Sequence, residues 1–302
     1  MKRSINLGYL GVLSAMMLPS LALAADPSKL SGIGDSISQG WGANNLPGEH
    51  PEFGFGQGTD ATVNSLFLRY KAKNAAMTKE FVSVSGAEMV GGRNNGPGQA
   101  ARICAMAVKP DRVVIELGGN DVCSRDKGSS SDATSNLYSV TTYRNALKTT
   151  LDTLAGCLPS GAQVQVLSMP RVDYLFNAGN AKNVITCNLV WSVASVCRVV
   201  TGESSATRRQ SIGDRINQYN DGLRAEVESA ATRHAGKITV ITDWQGKDVS
   251  NSSVGTYRFG KDDIDGFDCF HPHKDTGQRK LACAAWEAAE YGSLANVPSC
   301  LK

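Results

Sequence analysis

The chain has 302 residues, 41% of them hydrophobic and 20% charged, with a formal net charge of +3 at pH 7. So even a balance points to neither nucleic acid nor another strongly anionic partner.

Lys2 and Arg3 open the chain, Ile5 to Leu18 is largely apolar, and Ala22 to Ala24 supplies the small residues that a signal peptidase reads. Residues 1–24 are therefore expected to be an export signal, cut before Ala25. The first cysteine is Cys104, which argues against a lipid-modified start. No later stretch reaches the ~20 apolar residues of a membrane span. Residues 25–302, nearly neutral once Lys2 and Arg3 are gone, have the length of one α/β domain. A chain of that size buries about three-quarters of its unfolded surface, so disulfides would add to its core and not replace it. The eight cysteines suit an oxidising compartment, periplasmic or extracellular, and could pair in about a hundred ways. None forms a CxxC pair, so a structural zinc site is not expected.

Strand-length apolar runs then alternate with helical periods. LSGIGDS (30–36) reads as a strand entering a tight turn, ATVNSLFLRYKAK (61–73) as a helix, and EFVSVSG (80–86) as a strand stopped by Gly86. QAARICAMAV (99–108) is helical, and DRVVIELGGND (111–121) is a strand running into two glycines. A helix over 141–158, a strand over 162–170, a long helix over 214–236, a strand over 237–243 and a final helix over 277–290 complete the series. The alternation predicts a mostly parallel sheet covered on both faces. Two regions fall outside it: a Gly- and Pro-rich loop from Asn44 to Asp60, and an apolar excursion over 171–213 containing Trp191. Loops that long are usually functional or mobile.

In open parallel sheets, ligands bind beyond the carboxyl ends of the strands. Those ends deliver Gly34, Asp35 and Ser36, then Ser85 and Gly86, then Gly118, Gly119, Asn120 and Asp121, and finally Asp268 and His271. This is the inventory of acyl transfer. A serine hydroxyl needs a base to become a nucleophile, and a histidine base needs a carboxylate to fix its tautomer. The backbone N–H groups of Ser36 and Gly86, with the amide of Asn120, could stabilise the oxyanion.

The blocks GIGDSISQGWG, VSVSGAE, ELGGNDVC and DCFH, in this order, resemble the SGNH or GDSL-like hydrolase superfamily, from Lys29 to about Glu290. The resemblance implies a flavodoxin-like α/β/α fold with a five-stranded sheet. It also implies ester hydrolysis without metal or other cofactor: Ser36 as nucleophile, His271 as base, Asp268 as its orienter, and Gly86 with Asn120 in the oxyanion hole. The second block departs from the family pattern, because Ala87 and Glu88 follow the glycine where Asp or Asn is usual. GGNDVC and DCFH are closer still to the phospholipase B-like branch, which implies a lipid ester and transient contact with a lipid interface. The excursion would then be a lid or acyl groove, or else a decoration tied by a disulfide such as Cys187–Cys197.

Other readings compete. His271 and His273 have a metal-ligand spacing, but further ligands are scarce: the remaining histidines are His50 in a loop and His234 at a helix end. His273 is expected to face solvent beside the catalytic loop, and Asp35 to brace loops by accepting backbone N–H bonds. Trp41 and Phe53 are candidates to line the pocket. A Cys123–Cys269 bridge would tie the asparagine loop to the histidine loop. A carbohydrate O-acetylesterase would use the same blocks, and a binding protein on an inactive hydrolase scaffold stays open because fold alone does not assign function.

Overall fold

In a computed structural model, the structure describes residues 27–244, 259–292, 294 and 297–300, so the expected export signal lies outside the described residues. The strands β1 (Lys29–Gly34), β2 (Thr78–Phe81), β3 (Arg112–Glu116), β4 (Ala162–Val166) and β5 (Ile238–Thr242) form one sheet. Their order is β2-β1-β3-β4-β5 and every pairing is parallel. Such a sheet is buried on both faces, which is why Ile33, Val113, Val114, Ile115, Val164 and Val166 are all buried.

The helices are α1 (Leu66–Lys73), α2 (Gly96–Ala105), α3 (Gly119–Cys123), α4 (Val140–Cys157), α5 (Asp173–Ala194), α6 (Arg198–Thr201), α7 (Ala206–Arg233), α8 (Arg279–Tyr291) and α9 (Val297–Cys300). Helix α4 packs between α2 and α7 on one face of the sheet, while α1 packs on α8 on the other. This is the expected three-layer α/β/α arrangement. Caps explain where helices begin. Ser65, Asn95, Ser139 and Ser205 each accept a backbone N–H from the first turn of α1, α2, α4 and α7. Helix α1 therefore starts at Leu66 and not at Ala61, and α7 starts well before Asp214.

The second strand ends at Phe81, but Val82 and Val84 still donate to Gly32 and Gly34 of β1, so the chain stays on the sheet almost to Gly86. The excursion over 171–213 is helical, not a loop: it holds α5, α6 and the start of α7. Helix α5 is broken at Asn183, whose backbone is extended (φ −162°, ψ 99°) and whose side chain accepts from Thr186 N at 3.0 Å, capping the second half. The region Asn44 to Asp60 is a loop with one turn of 3-10 helix at Pro51–Phe53.

Candidate active site

The sheet order places its switch point between β1 and β3, the neighbours whose following loops leave in opposite directions. Ser36 follows β1 and Asn120 follows β3. The turn carrying Ser36 is held from several sides. The side-chain amide of Gln99 donates to Gly34 O and accepts from Gly34 N, both at 2.9 Å. Asp35 Oδ1 accepts from Ile37 N at 2.8 Å, and Gln278 donates to Ile37 O at 2.9 Å while accepting from Phe55 N. Ser38 Oγ donates to the buried Glu116 at 3.1 Å. These bonds fix the residues around Ser36 and leave its own hydroxyl available.

That hydroxyl donates to His271 Nε2 at 2.8 Å, and His271 Nδ1 donates to Asp268 Oδ2 at 2.5 Å. The sequence puts Asp268 and His271 on one side of a turn because Asp268 Oδ1 accepts from the N–H groups of Phe270 and His271, both at 2.9 Å. One carboxylate oxygen thus shapes the loop and the other orients the imidazole. Behind it, the fully buried Asp265 accepts from Phe267 N at 2.6 Å and Asp268 N at 2.8 Å. Trp191 of α5 donates from its indole to Asp268 O at 3.1 Å.

Across the site, Gly86 has φ +78°, a left-handed conformation that favours glycine, and it turns the chain at the end of its sheet-bound stretch. Neither the Gly86 N–H nor the Ser36 N–H has an acceptor among the described residues. Asn120 sits in the first turn of α3, reached through Gly118 (φ +132°), where a Cβ would lie 2.3 Å from Met169 Sδ. Its amide already donates to Asp35 Oδ2 at 3.1 Å and to Ala87 O at 3.0 Å. Asp35 therefore does more than accept backbone N–H bonds: it ties the serine turn to Asn120. Asp121 is buried and accepts from Met89 N at 2.6 Å and Val90 N at 2.9 Å, fixing the chain just after Gly86.

The electrostatics follow from burial. Burial alone would raise Asp268, but the charge of His271 and its hydrogen bonds hold this carboxyl well below the usual range. Burial would lower His271, and the facing Asp268, with help from Asp265 and Asp35, lifts it above an ordinary imidazole instead. Burial and the adjacent Asp268 push Asp265 up to about 8. Burial also raises Asp35 and Glu116, and Asp35's charge lifts Glu116 further.

Asp265, Asp268 and His271 offer ligand atoms within 4.8 Å of one another, the one such cluster among the described residues. The donor set does not fit a metal. Asp268 and His271 spend their inner atoms on each other, and His271 Nε2 is turned to Ser36. His273 stays outside the cluster, and it does not face solvent freely. It contacts Asn45 Nδ2 at 3.2 Å, with 18% of its side chain exposed.

Serine, histidine and asparagine open onto a cavity of about 590 Å³, walled by Trp41, Phe267 and Phe270 and by Val190, Ala194 and Val196 from the excursion. Trp41 lines it as expected. Phe53 does not: its ring lies against His50 and Lys274. The disulfides are Cys104–Cys157, Cys123–Cys197, Cys187–Cys269 and Cys283–Cys300. The expected Cys123–Cys269 bridge is therefore absent, and so is Cys187–Cys197. Cys187 lies on the buried side of α5 toward the histidine loop, and Cys197 lies between α5 and α6, where α6 packs on α3. The asparagine loop and the histidine loop are joined to the excursion instead of to each other.

Gln99, Gln278, Glu116 and Asp265 escaped the sequence reading. Their only signal is complete burial of a polar side chain, which the sequence does not display.

The model of the GDSL-like lipase/acylhydrolase family matches residues 33–272. No functionally curated protein matches the chain. Among solved structures, an extracellular lipase from Streptomyces rimosus is 18% identical, with 87% of this chain and 99% of that one covered and a TM-score of 0.49. An acetylxylan esterase from Geobacillus stearothermophilus is 15% identical, with 87% and 94% covered and a TM-score of 0.47. The SGNH-hydrolase family esterase AlinE4 is 15% identical, with 70% and 74% covered and a TM-score of 0.36. With the serine, glycine, asparagine and histidine blocks in order and the family model spanning most of its length, the chain belongs to the GDSL-like lipase/acylhydrolase family of ester hydrolases.

Proposed function

We propose that the protein is an exported serine hydrolase of lipid acyl esters, with Ser36 as nucleophile, His271 as general base and Asp268 as orienter. The observation that carries this reading is the unbroken chain from Ser36 through His271 to Asp268, opening on a cavity with largely apolar walls. As Ser36 Oγ bonds to the ester carbonyl carbon, its proton passes to His271 Nε2, and Asp268 stabilises the imidazolium. The oxyanion is met by the N–H groups of Ser36 and Gly86, while Asn120 exchanges its bond to Ala87 O for one to the oxyanion. Collapse expels the alcohol, which takes the proton from His271 and leaves an acyl group on Ser36. Water, deprotonated by the same histidine, then releases the acid. The four disulfides suit an oxidising compartment, periplasmic or extracellular.

The apolar wall supports an acyl chain and a lipid interface over a sugar acetate, and the phospholipase B-like motifs point the same way. Hydrolysis of nitrophenyl esters from acetyl to palmitoyl, beside Ser36→Ala, tests this. Turnover rising with chain length and abolished in Ser36→Ala is expected. Acetyl-only turnover would move the substrate to sugar esters, and no turnover with any ester would favour a binding role.

A further inference from the structure

Beyond Asn183, α5 has two different faces. The inner one, with Cys187, Val190, Trp191 and Ala194, meets the core and the catalytic cavity. The outer one carries Ile185, Leu189 and Val193, which are 79%, 62% and 79% exposed. Steps of four along a helix set these side chains in one row. Scattered exposed aliphatics are ordinary, but a row of them beside a catalytic mouth marks an interaction surface. Phe267, 42% exposed and next to Asp268, continues the apolar rim.

The adjoining helical row, Asn188 and Ser192, walls a separate polar cavity of about 190 Å³ whose other sides include Lys127, Arg198 and Thr201. Glu203, whose charge Lys127 feels, is already held by Arg208 at 2.8 Å. From Tyr174 to Gly202 the chain has no Asp or Glu but has Lys182 and Arg198. An apolar row on a segment without acids, with Lys127 and Arg198 beside it, complements one kind of surface: acyl chains beneath anionic phosphate headgroups.

We infer that the outer face of α5 is a preformed docking surface for an anionic phospholipid layer. Ile185, Leu189 and Val193 enter the acyl boundary while Lys127 and Arg198 meet phosphates. The surface is fixed and not a swinging lid, because disulfides hold α5 at Cys187 to the histidine loop and, just past its end, at Cys197 to α3. Docking by this face sets the mouth of the catalytic cavity against the lipid. The inference deepens the lipid-ester reading, yet docking itself needs no turnover and can be measured without it.

The test is co-flotation of the Ser36→Ala protein with vesicles of phosphatidylcholine alone and of phosphatidylcholine with phosphatidylglycerol. Binding that favours the anionic vesicles is expected. Ile185→Asp/Leu189→Asp/Val193→Asp should weaken it about a hundred-fold or more, because each buried aliphatic is replaced by a charge. Lys127→Glu/Arg198→Glu should weaken binding to the anionic vesicles alone, by about ten-fold or more. The same substitutions in the Ser36 protein should leave acetyl-ester turnover unchanged, which verifies the fold. Vesicle binding unaffected by either set would overturn the inference. So would the absence of vesicle binding together with a dimer that the triple substitution dissolves, since the face would then belong to a second copy. If no ester is turned over but anionic vesicles bind through α5, the docking surface stands and only the lipid-ester reading falls.

Discussion

The two halves of the proposed catalytic dyad are held in place by different means. Ser36 leaves a buried strand, and its turn is clamped by Gln99, Gln278 and Asp35, side chains rooted in helices and loops that pack on the sheet. His271 lies in a loop where, among the described residues, a β-bridge joins Ile264 to Pro272. That loop is fixed by Asp265, by the Trp191 indole and by the Cys187–Cys269 bond. The serine side is thus supported by elements packed on the sheet, and the histidine side by the helical segment between β4 and β5. In a site of this construction, changes to that segment act on the histidine loop as well as on the cavity wall.

The largest effect expected is at the junction of the halves. Asp268→Asn keeps the shape but reverses the tautomer preference of His271, and kcat should fall about 10⁴-fold. Its pH profile is equally informative. His271 must be neutral to accept the serine proton, and Asp268 holds it above its ordinary value, so the wild-type acid limb should lie above about pH 6.5. The residual activity of Asp268→Asn should have its acid limb at lower pH, and an unmoved limb would remove Asp268 as the cause.

Next comes Asn120, the proposed oxyanion donor. Asn120→Ala should lower kcat about 10²–10³-fold with little change in KM, as measured by steady-state kinetics. An effect confined to KM would assign Asn120 to ground-state binding.

The disulfides separate the two halves most cleanly. Cys187→Ser/Cys269→Ser and Cys104→Ser/Cys157→Ser should each cost about 2–4 kcal/mol in denaturant unfolding. Only the first should also depress kcat, by about ten-fold, because it frees the histidine loop from α5 while the second joins α2 to α4 away from the site. Equal kcat for both would mean that α5 does not align the base.

The smallest effect is expected at Asp265. Folded, it keeps its proton to about pH 8; unfolded, it releases it near pH 3.9. The folded state therefore holds the extra proton between those values, and this group's contribution to stability falls as pH rises through that window. Asp265→Asn lacks the slope, so its thermal midpoint relative to wild type should climb from pH 5 to pH 8. A difference that stays constant would mean that Asp265 is ionised in the fold.

What the chain disclosed before folding follows the same division. The sheet was legible because buried parallel strands are apolar runs, and the blocks of the candidate site because Ser36, Asn120 and the Asp268–His271 step follow such runs. The segment over 171–213 was not. Its apolar positions suited a loop, a lid or a helix alike, and cysteine pairing depends on the three-dimensional path, which is why Cys123 and Cys269 were matched to each other and not to Cys197 and Cys187. The clamps at Gln99 and Gln278 were equally hidden, since a buried glutamine looks like any exposed one in sequence.

If His271 is the group that activates Ser36, reaction with an alkyl fluorophosphonate followed by intact-mass and peptide analysis should give a single adduct on Ser36, absent in Ser36→Ala and formed far more slowly in His271→Ala. An adduct on another residue, or equal labelling rates with and without His271, would remove Ser36 and His271 as nucleophile and base.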